Sequence, residues 1–182
     1  MTLHSFDSLV RSFRRQVQLP WRTDVPASGR VWILWYDRSL ELRVGGQWAL
    51  LEQESARAGH GWRSVDAGSM FAQWLDGHEL RDAVLSQPDE LGSLLPEFED
   101  AVVEQLTTVL DAAAPDDLVA VKRCGALFGL ASLSKVVNRV ESSVQGRLLL
   151  SFAGRYEGTG YRLLDARPGW NYHAVPIPSE PA

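Results

Sequence analysis

Leu118-Val-Ala-Val121 and Arg147-Leu-Leu-Leu-Ser-Phe152 are two short apolar runs, and between them Leu133, Val136, Val137 and Val140 recur at helical spacing. Pro115-Asp-Asp117 introduces the first run, and Ser132 stands where a helix N-cap belongs. Both runs are apolar at nearly every position rather than at alternate ones, the pattern of strands covered on two faces. Strand, helix and strand over this span make a βαβ unit, whose strands lie parallel because the crossover returns the chain to the same end of the sheet. The unit sets the class as α/β.

Upstream, Val31-Trp-Ile-Leu-Trp-Tyr36 reads as another strand buried on both faces, and Trp62 to Asp66 as a shorter one. Helical patterns separate them. Leu3, Phe6, Leu9, Val10, Phe13 and Val17 form an amphipathic stripe stopped by Pro20. Gln47 to Ala58 reads as a helix with Gly59 at its C′ position. Ser69 is placed to cap a helix carrying Phe71, Trp74 and Leu75, which Gly77 breaks before a further short helix through Leu85. Pro96 suits the first turn of a long helix striped by Phe98, Val102, Leu106, Val109 and Leu110. Helices recurring between buried strands cover both faces of a sheet. At the end, Tyr161 to Ala166, a Pro168-Gly169 turn and Tyr172 to Ile177 read as a closing hairpin, which makes the sheet mixed but mostly parallel. The expectation is a single domain over residues 1–178, with 179–182 a flexible C-terminal tail.

Composition agrees with a globular chain: 182 residues, 45% hydrophobic, 23% charged, and a net charge of −5. The one cysteine, Cys124, has no partner within the chain, so the fold needs no oxidising compartment. No apolar run approaches the ~20 residues that span a bilayer, and Asp7, Arg11, Arg14 and Arg15 interrupt any signal-peptide core, so the expected location is the cytoplasm, with no membrane partner. The charge is segregated. Residues 1–60 hold 8 Arg against 6 acids, residues 61–121 hold 2 Arg against 13 acids, and residues 122–182 hold 8 Lys and Arg against 4 acids. An acidic middle repels phosphate, which disfavours tight non-specific nucleic-acid binding as a property of the whole chain.

Motifs for the chemistry common in this class are missing. No Gly-Lys-Ser or Gly-Lys-Thr provides a P-loop, Gly158-Thr-Gly160 lacks the third glycine and the helix of a dinucleotide fingerprint, and no Gly-x-Ser-x-Gly elbow is present. His4, His60, His78 and His173 show no metal-ligand spacing. No catalytic residue, cofactor or metal is assigned. Cys124 follows a strand beside Lys122 and Arg123, an arrangement that lowers a thiol pKa if the sulfur is exposed and that is inert if it is buried. Open α/β sheets bind ligands at the carboxyl ends of their strands. Those ends carry Asp37, Asp66, Lys122, Arg123 and Arg155, with Glu157 nearby: a rim that either holds a metal–phosphate ligand or pairs with itself. Of the seven tryptophans, Trp32, Trp35, Trp48 and Trp74 fit core positions. Trp21 and Trp170 sit beside turns with Arg22 and Arg167 adjacent, which makes them candidate partner contacts.

The block Phe152-Ala-Gly154-Arg-Tyr156-Glu-Gly158, followed by Leu163-Leu164 and Trp170-Asn-Tyr172, resembles the closing block of BrxB-like proteins from bacteriophage-exclusion (BREX) systems. Trp35-Tyr36-Asp37 and Gly125-Ala-Leu-Phe128 are similar to that family's first-strand ending and its Gly-x-x-Phe/Tyr segment. Two departures stand out: Ala153 replaces the family's proline before Gly154, and Tyr172-His-Ala-Val175 replaces its Tyr-Arg-Ala-Phe ending. The resemblance implies a component of a multi-gene anti-phage system that works with a PglZ phosphatase-like protein, a methyltransferase and a large ATPase. It adds Tyr156 to the candidate contacts and implies no catalytic residue. The function expected is therefore a non-enzymatic module bridging other defence proteins, the alternative being nucleotide or nucleic-acid binding at the charged rim.

Overall fold

The computed structural model describes residues 5–22, 24–157, 160–162 and 174–178. Its centre is a five-stranded sheet, every pairing parallel, built from β1 (Val31–Tyr36), β2 (Gly61–Asp66), β3 (Asp117–Lys122), β4 (Arg147–Ala153) and β7 (Val175–Ile177) in the order β2-β3-β4-β1-β7. An antiparallel pair, β5 (Arg155–Glu157) and β6 (Gly160–Arg162), stands apart from it. The α/β class and the βαβ unit hold. Among the described residues the antiparallel element is the β5–β6 pair; of the expected closing hairpin, Tyr161 and Arg162 lie in β6, and Val175–Ile177 pair parallel with β1, with Trp32 opposite Val175. Residues 163–173, including the Pro168-Gly169 turn, and the tail 179–182 lie outside the described residues.

Side chains alternate across the sheet and fill two cores. Val31, Ile33, Trp35, Val119, Val121, Leu148, Leu150 and Phe152 face a layer formed by α4 (Ala67–Asp76), α6 (Leu91–Asp111) and α7 (Leu133–Val140). Trp32, Leu34, Tyr36, Leu118, Ala120 and Leu149 face α1 (Phe6–Val17) and α3 (Trp48–Arg57). All six residues of β1 are buried because both of its faces are covered. The connection leaving β1 runs through α2 (Glu41–Gly45) and α3 on one face, while those leaving β2 and β3 run through α4, α6 and α7 on the other. The crossover side therefore changes between β1 and the strands beyond its neighbour β4, a topological switch that opens at the carboxyl ends. Between α4 and α6 lies the short α5 (Arg81–Ser86).

Local chemistry moves several boundaries. The cap of α4 is Asp66, whose carboxylate accepts the Gly68 N–H at 3.0 Å; Ser69 lies one turn inside. Pro96 is not in the first turn of α6, which starts at Leu91. Proline there forfeits one bond, to the carbonyl of Gly92, and Gly92 is exposed, so water can serve that carbonyl. Ser132 occupies the position expected at the start of α7, yet its hydroxyl meets that of Ser134 at 3.1 Å and its N–H donates to Glu99 at 2.8 Å, tying α7 to α6. Between α1 and α3, the buried Glu54 accepts from Arg14 Nε at 2.6 Å, Arg14 Nη2 at 3.0 Å and Arg57 Nη1 at 2.6 Å. Among the described residues no helix is long and apolar enough to cross a membrane.

Candidate functional site

At the carboxyl edge, Asp66 and Lys122 are register partners across β2 and β3, and Asp37 follows β1 two strands further on, roughly 10 Å away by strand spacing. The parallel sheet therefore brings Asp37, Asp66, Lys122 and Arg123 to one rim, as the sequence indicated. Arg155 begins β5 just past β4, and Tyr156 follows it; only their backbone is described.

Two of the rim charges, Asp66 and Arg123, are paired with each other. Arg123 takes a left-handed conformation (φ 56°, ψ 41°), which turns its guanidinium back over the start of α4. There it forms a fork on Asp66, with Nε donating to Oδ1 at 2.7 Å and Nη2 to Oδ2 at 2.5 Å. Gly68 makes room for it: a Cβ at that position would lie 2.4 Å from the guanidinium carbon. The arginine's hydrogen bonds, with the Gly68 N–H adding to them, hold the Asp66 carboxyl below the usual range, and Asp66 in turn raises Arg123. Lys122 Nζ lies 5.7 Å from the ring centroid of the buried Trp48, a cation–π contact. The Asp37 carboxylate accepts the Ser39 N–H at 2.9 Å and caps the 3₁₀ turn after β1. Asp66 thus has both oxygens engaged by Arg123. Among the described residues no three His, Cys, Asp or Glu side chains are grouped so as to hold a metal ion.

Beneath the rim lie polar contacts that sequence reasoning missed. The Tyr36 hydroxyl donates to Glu41 Oε2 at 2.8 Å, and the Ser151 hydroxyl accepts the Cys124 N–H at 3.4 Å. Burial, then the neighbouring Glu41 carboxylate, raises the Tyr36 pKa. The one signal for these contacts was a serine inside the apolar run Arg147 to Phe152. Cys124 itself is buried, and its thiol donates to the Val121 carbonyl at 3.4 Å. Burial pushes its pKa up to about 12, so it is the inert cysteine of the two alternatives, despite the adjacent lysine and arginine.

Of the candidate contacts, Trp21 is not an exposed anchor. It is half-buried, stacked on His60 with centroids 3.6 Å apart and planes 4° from parallel, and it meets Trp32 edge-on at 5.6 Å. Its position beside a turn suggested exposure, but His60, just before β2, covers it. Arg22 is exposed and forked onto Asp24 at 2.9 and 2.6 Å. Arg167 and Trp170 lie outside the described residues. Exposed apolar side chains occur elsewhere, at Leu42 and Leu50 around α2 and α3, at Leu80 and Leu85 around α5, and at Phe128.

No known family profile matches the chain, and no curated protein or solved structure matches it significantly.

Proposed function

We propose that the protein is a non-catalytic interaction module of a bacteriophage-exclusion type defence system, bridging a PglZ phosphatase-like protein, a methyltransferase or a large ATPase. One observation carries the non-catalytic part of this reading. The carboxyl edge, where α/β enzymes keep reacting groups, holds Asp66 and Arg123 locked on each other, Lys122 laid on Trp48 and Asp37 spent on a turn. A carboxylate held by an arginine fork is a poor base, and a capped rim offers little to an incoming phosphate. The bridging part draws on the sequence resemblance and on the surface: Leu80 and Leu85 stand exposed on a helical layer whose exposed acids include Asp76, Glu79, Asp82 and Glu97.

The test is co-expression of the full chain with each of the three proteins, followed by tag capture and size-exclusion chromatography. Stoichiometric co-elution with at least one of them, abolished by the Leu80→Asp/Leu85→Asp double variant, is the expected result. A chain that elutes alone in all three pairings overturns the proposal.

A further inference from the structure

Helix α1 buries Phe6, Leu9, Phe13 and Val17, and the line of residues opposite them carries Arg11 and Arg15, both exposed. The two arginines stand one turn apart, a spacing at which like charges repel. Arg14 between them is spent on Glu54 at 2.6 Å, and Arg15 Nη2 donates to the Ser12 hydroxyl at 3.3 Å. Among the described residues no carboxylate pairs with Arg11 or Arg15. The cationic ridge continues past the start of the helix, where the Arg43 guanidinium lies 5.5 Å from the centroid of the Phe6 ring. Next to Arg43 in the chain, Leu42 is 91% exposed.

Across the sheet, α6 carries the opposite sign. It buries Phe98, Val102, Leu106 and Leu110, and the line opposite these holds Glu97, Asp100, Glu104 and Asp111, all exposed. Residues 67–111 contain ten acids against one arginine. Glu97 meets His78 and Asp100 meets Arg139, whereas Glu104 and Asp111 have no ion-pair partner among the described residues. Asp111 also ends the helix, where the dipole disfavours an anion. Close to His78 in the chain, Leu80 and Leu85 are exposed. Each ridge thus starts beside exposed leucine and runs on into unpaired charge, positive on α1 and negative on α6.

The two ridges lie on opposite faces of one sheet, so they cannot meet within a chain, but they can meet between chains. We infer that the partner of each ridge is a second copy of this chain: α1 of one copy docks on α6 of the next, with Arg11 and Arg15 against Glu104 and the acids beside it. A contact between two different patches leaves one of each free at the ends, so it repeats head to tail. Exposed ion pairs are individually weak, which makes the series concentration-dependent and sensitive to salt. Leu80 and Leu85 also belong to the surface proposed for the defence partners, so the test is run on the chain alone and its variants leave both leucines in place.

The experiment is sedimentation velocity on the full-length chain at rising protein concentration, in about 0.1 M and about 1 M sodium chloride, between which the screening length falls from about 10 Å to about 3 Å. The average mass should climb with concentration at the lower salt and stay at that of one chain at the higher. Arg11→Glu/Arg15→Glu and Glu104→Lys/Asp111→Lys alter exposed side chains that hold no ion pair, so both variants should fold. Each alone should weaken association about tenfold or more, because attraction becomes repulsion at two positions. Mixed in equal amounts they should associate again, since each keeps the ridge that the other has reversed; damage to the fold would not be repaired by mixing. A chain that stays monomeric at every concentration in the lower salt overturns the inference. So does association that both variants leave unchanged, or that their mixture fails to restore.

Discussion

Replacing Glu54 by glutamine tests whether the α1–α3 layer is fastened by charge. The carboxylate is buried and accepts three short hydrogen bonds, two from Arg14 on α1 and one from Arg57 on its own helix. Glutamine preserves the volume but removes the charge and turns an amide NH₂ toward a guanidinium. Breaking a fully buried pair costs about 3–5 kcal/mol. Here the Arg14 and Arg57 side chains are 46% and 65% exposed, so water re-solvates them, and the loss should be nearer 2 kcal/mol. With a urea slope of about 2 kcal/mol per M, the unfolding midpoint followed by tryptophan fluorescence should fall by about 1 M. The pH dependence provides a second check. Hydrogen bonds from Arg14, its charge and that of Arg57 outweigh burial and hold the Glu54 carboxyl below its ordinary value. A depressed carboxylate stabilises the fold in full above the unfolded value of about 4.3, and the contribution is lost as pH falls through the lower folded value. The gap between wild type and Glu54→Gln should therefore be full at pH 7 and shrink below about pH 4.3. An unchanged midpoint at pH 7, or a gap that widens in acid, refutes the reasoning.

Three further outcomes are expected. Leu106→Ala, at a 1% exposed position of α6, should cost about 3–5 kcal/mol by denaturation, since the cavity faces strands that cannot collapse into it; a loss under about 1 kcal/mol would mean the helix is loosely packed. Asp66→Ala should cost about 1 kcal/mol through the lost cap, with the exposed ion pair adding less, and should speed amide exchange at Gly68 before the sheet is affected. Native Cys124 at pH 8 should resist iodoacetamide, because a thiol with a pKa near 12 is ionised to about one part in ten thousand; it should label at once in urea, and rapid native labelling would contradict its burial.

The sequence made β1, β3 and β4 readable because burial on both faces leaves unbroken apolar runs, and it made α6 readable because its buried Phe98, Val102, Leu106 and Leu110 keep a helical spacing. Edge position explains the weakness of β2, where Val65 is the one fully buried side chain. Helix α2 was hidden because Val44 alone is buried and Leu42 points outward. The rim residues could be gathered from the rule about strand ends, but their pairing could not: it depends on a left-handed turn at Arg123 and on the space left by Gly68. Trp21 was misjudged because His60, 39 positions later in the chain, covers it, and no local pattern carries that contact.

The two margins of the sheet also limit how a partner could join it. On one side, β7 is three residues long and has Pro176 at its middle, a residue with no N–H to offer a new strand. On the other, β2 exposes Arg63 and Ser64 and ends in the locked Asp66. Short length, proline and charge are how natural sheets refuse an added strand. Any protein that docks on this one must recognise side chains on its helices or at its strand ends rather than its backbone, so its binding should be sensitive to single surface substitutions and indifferent to extended peptides offered as competitors.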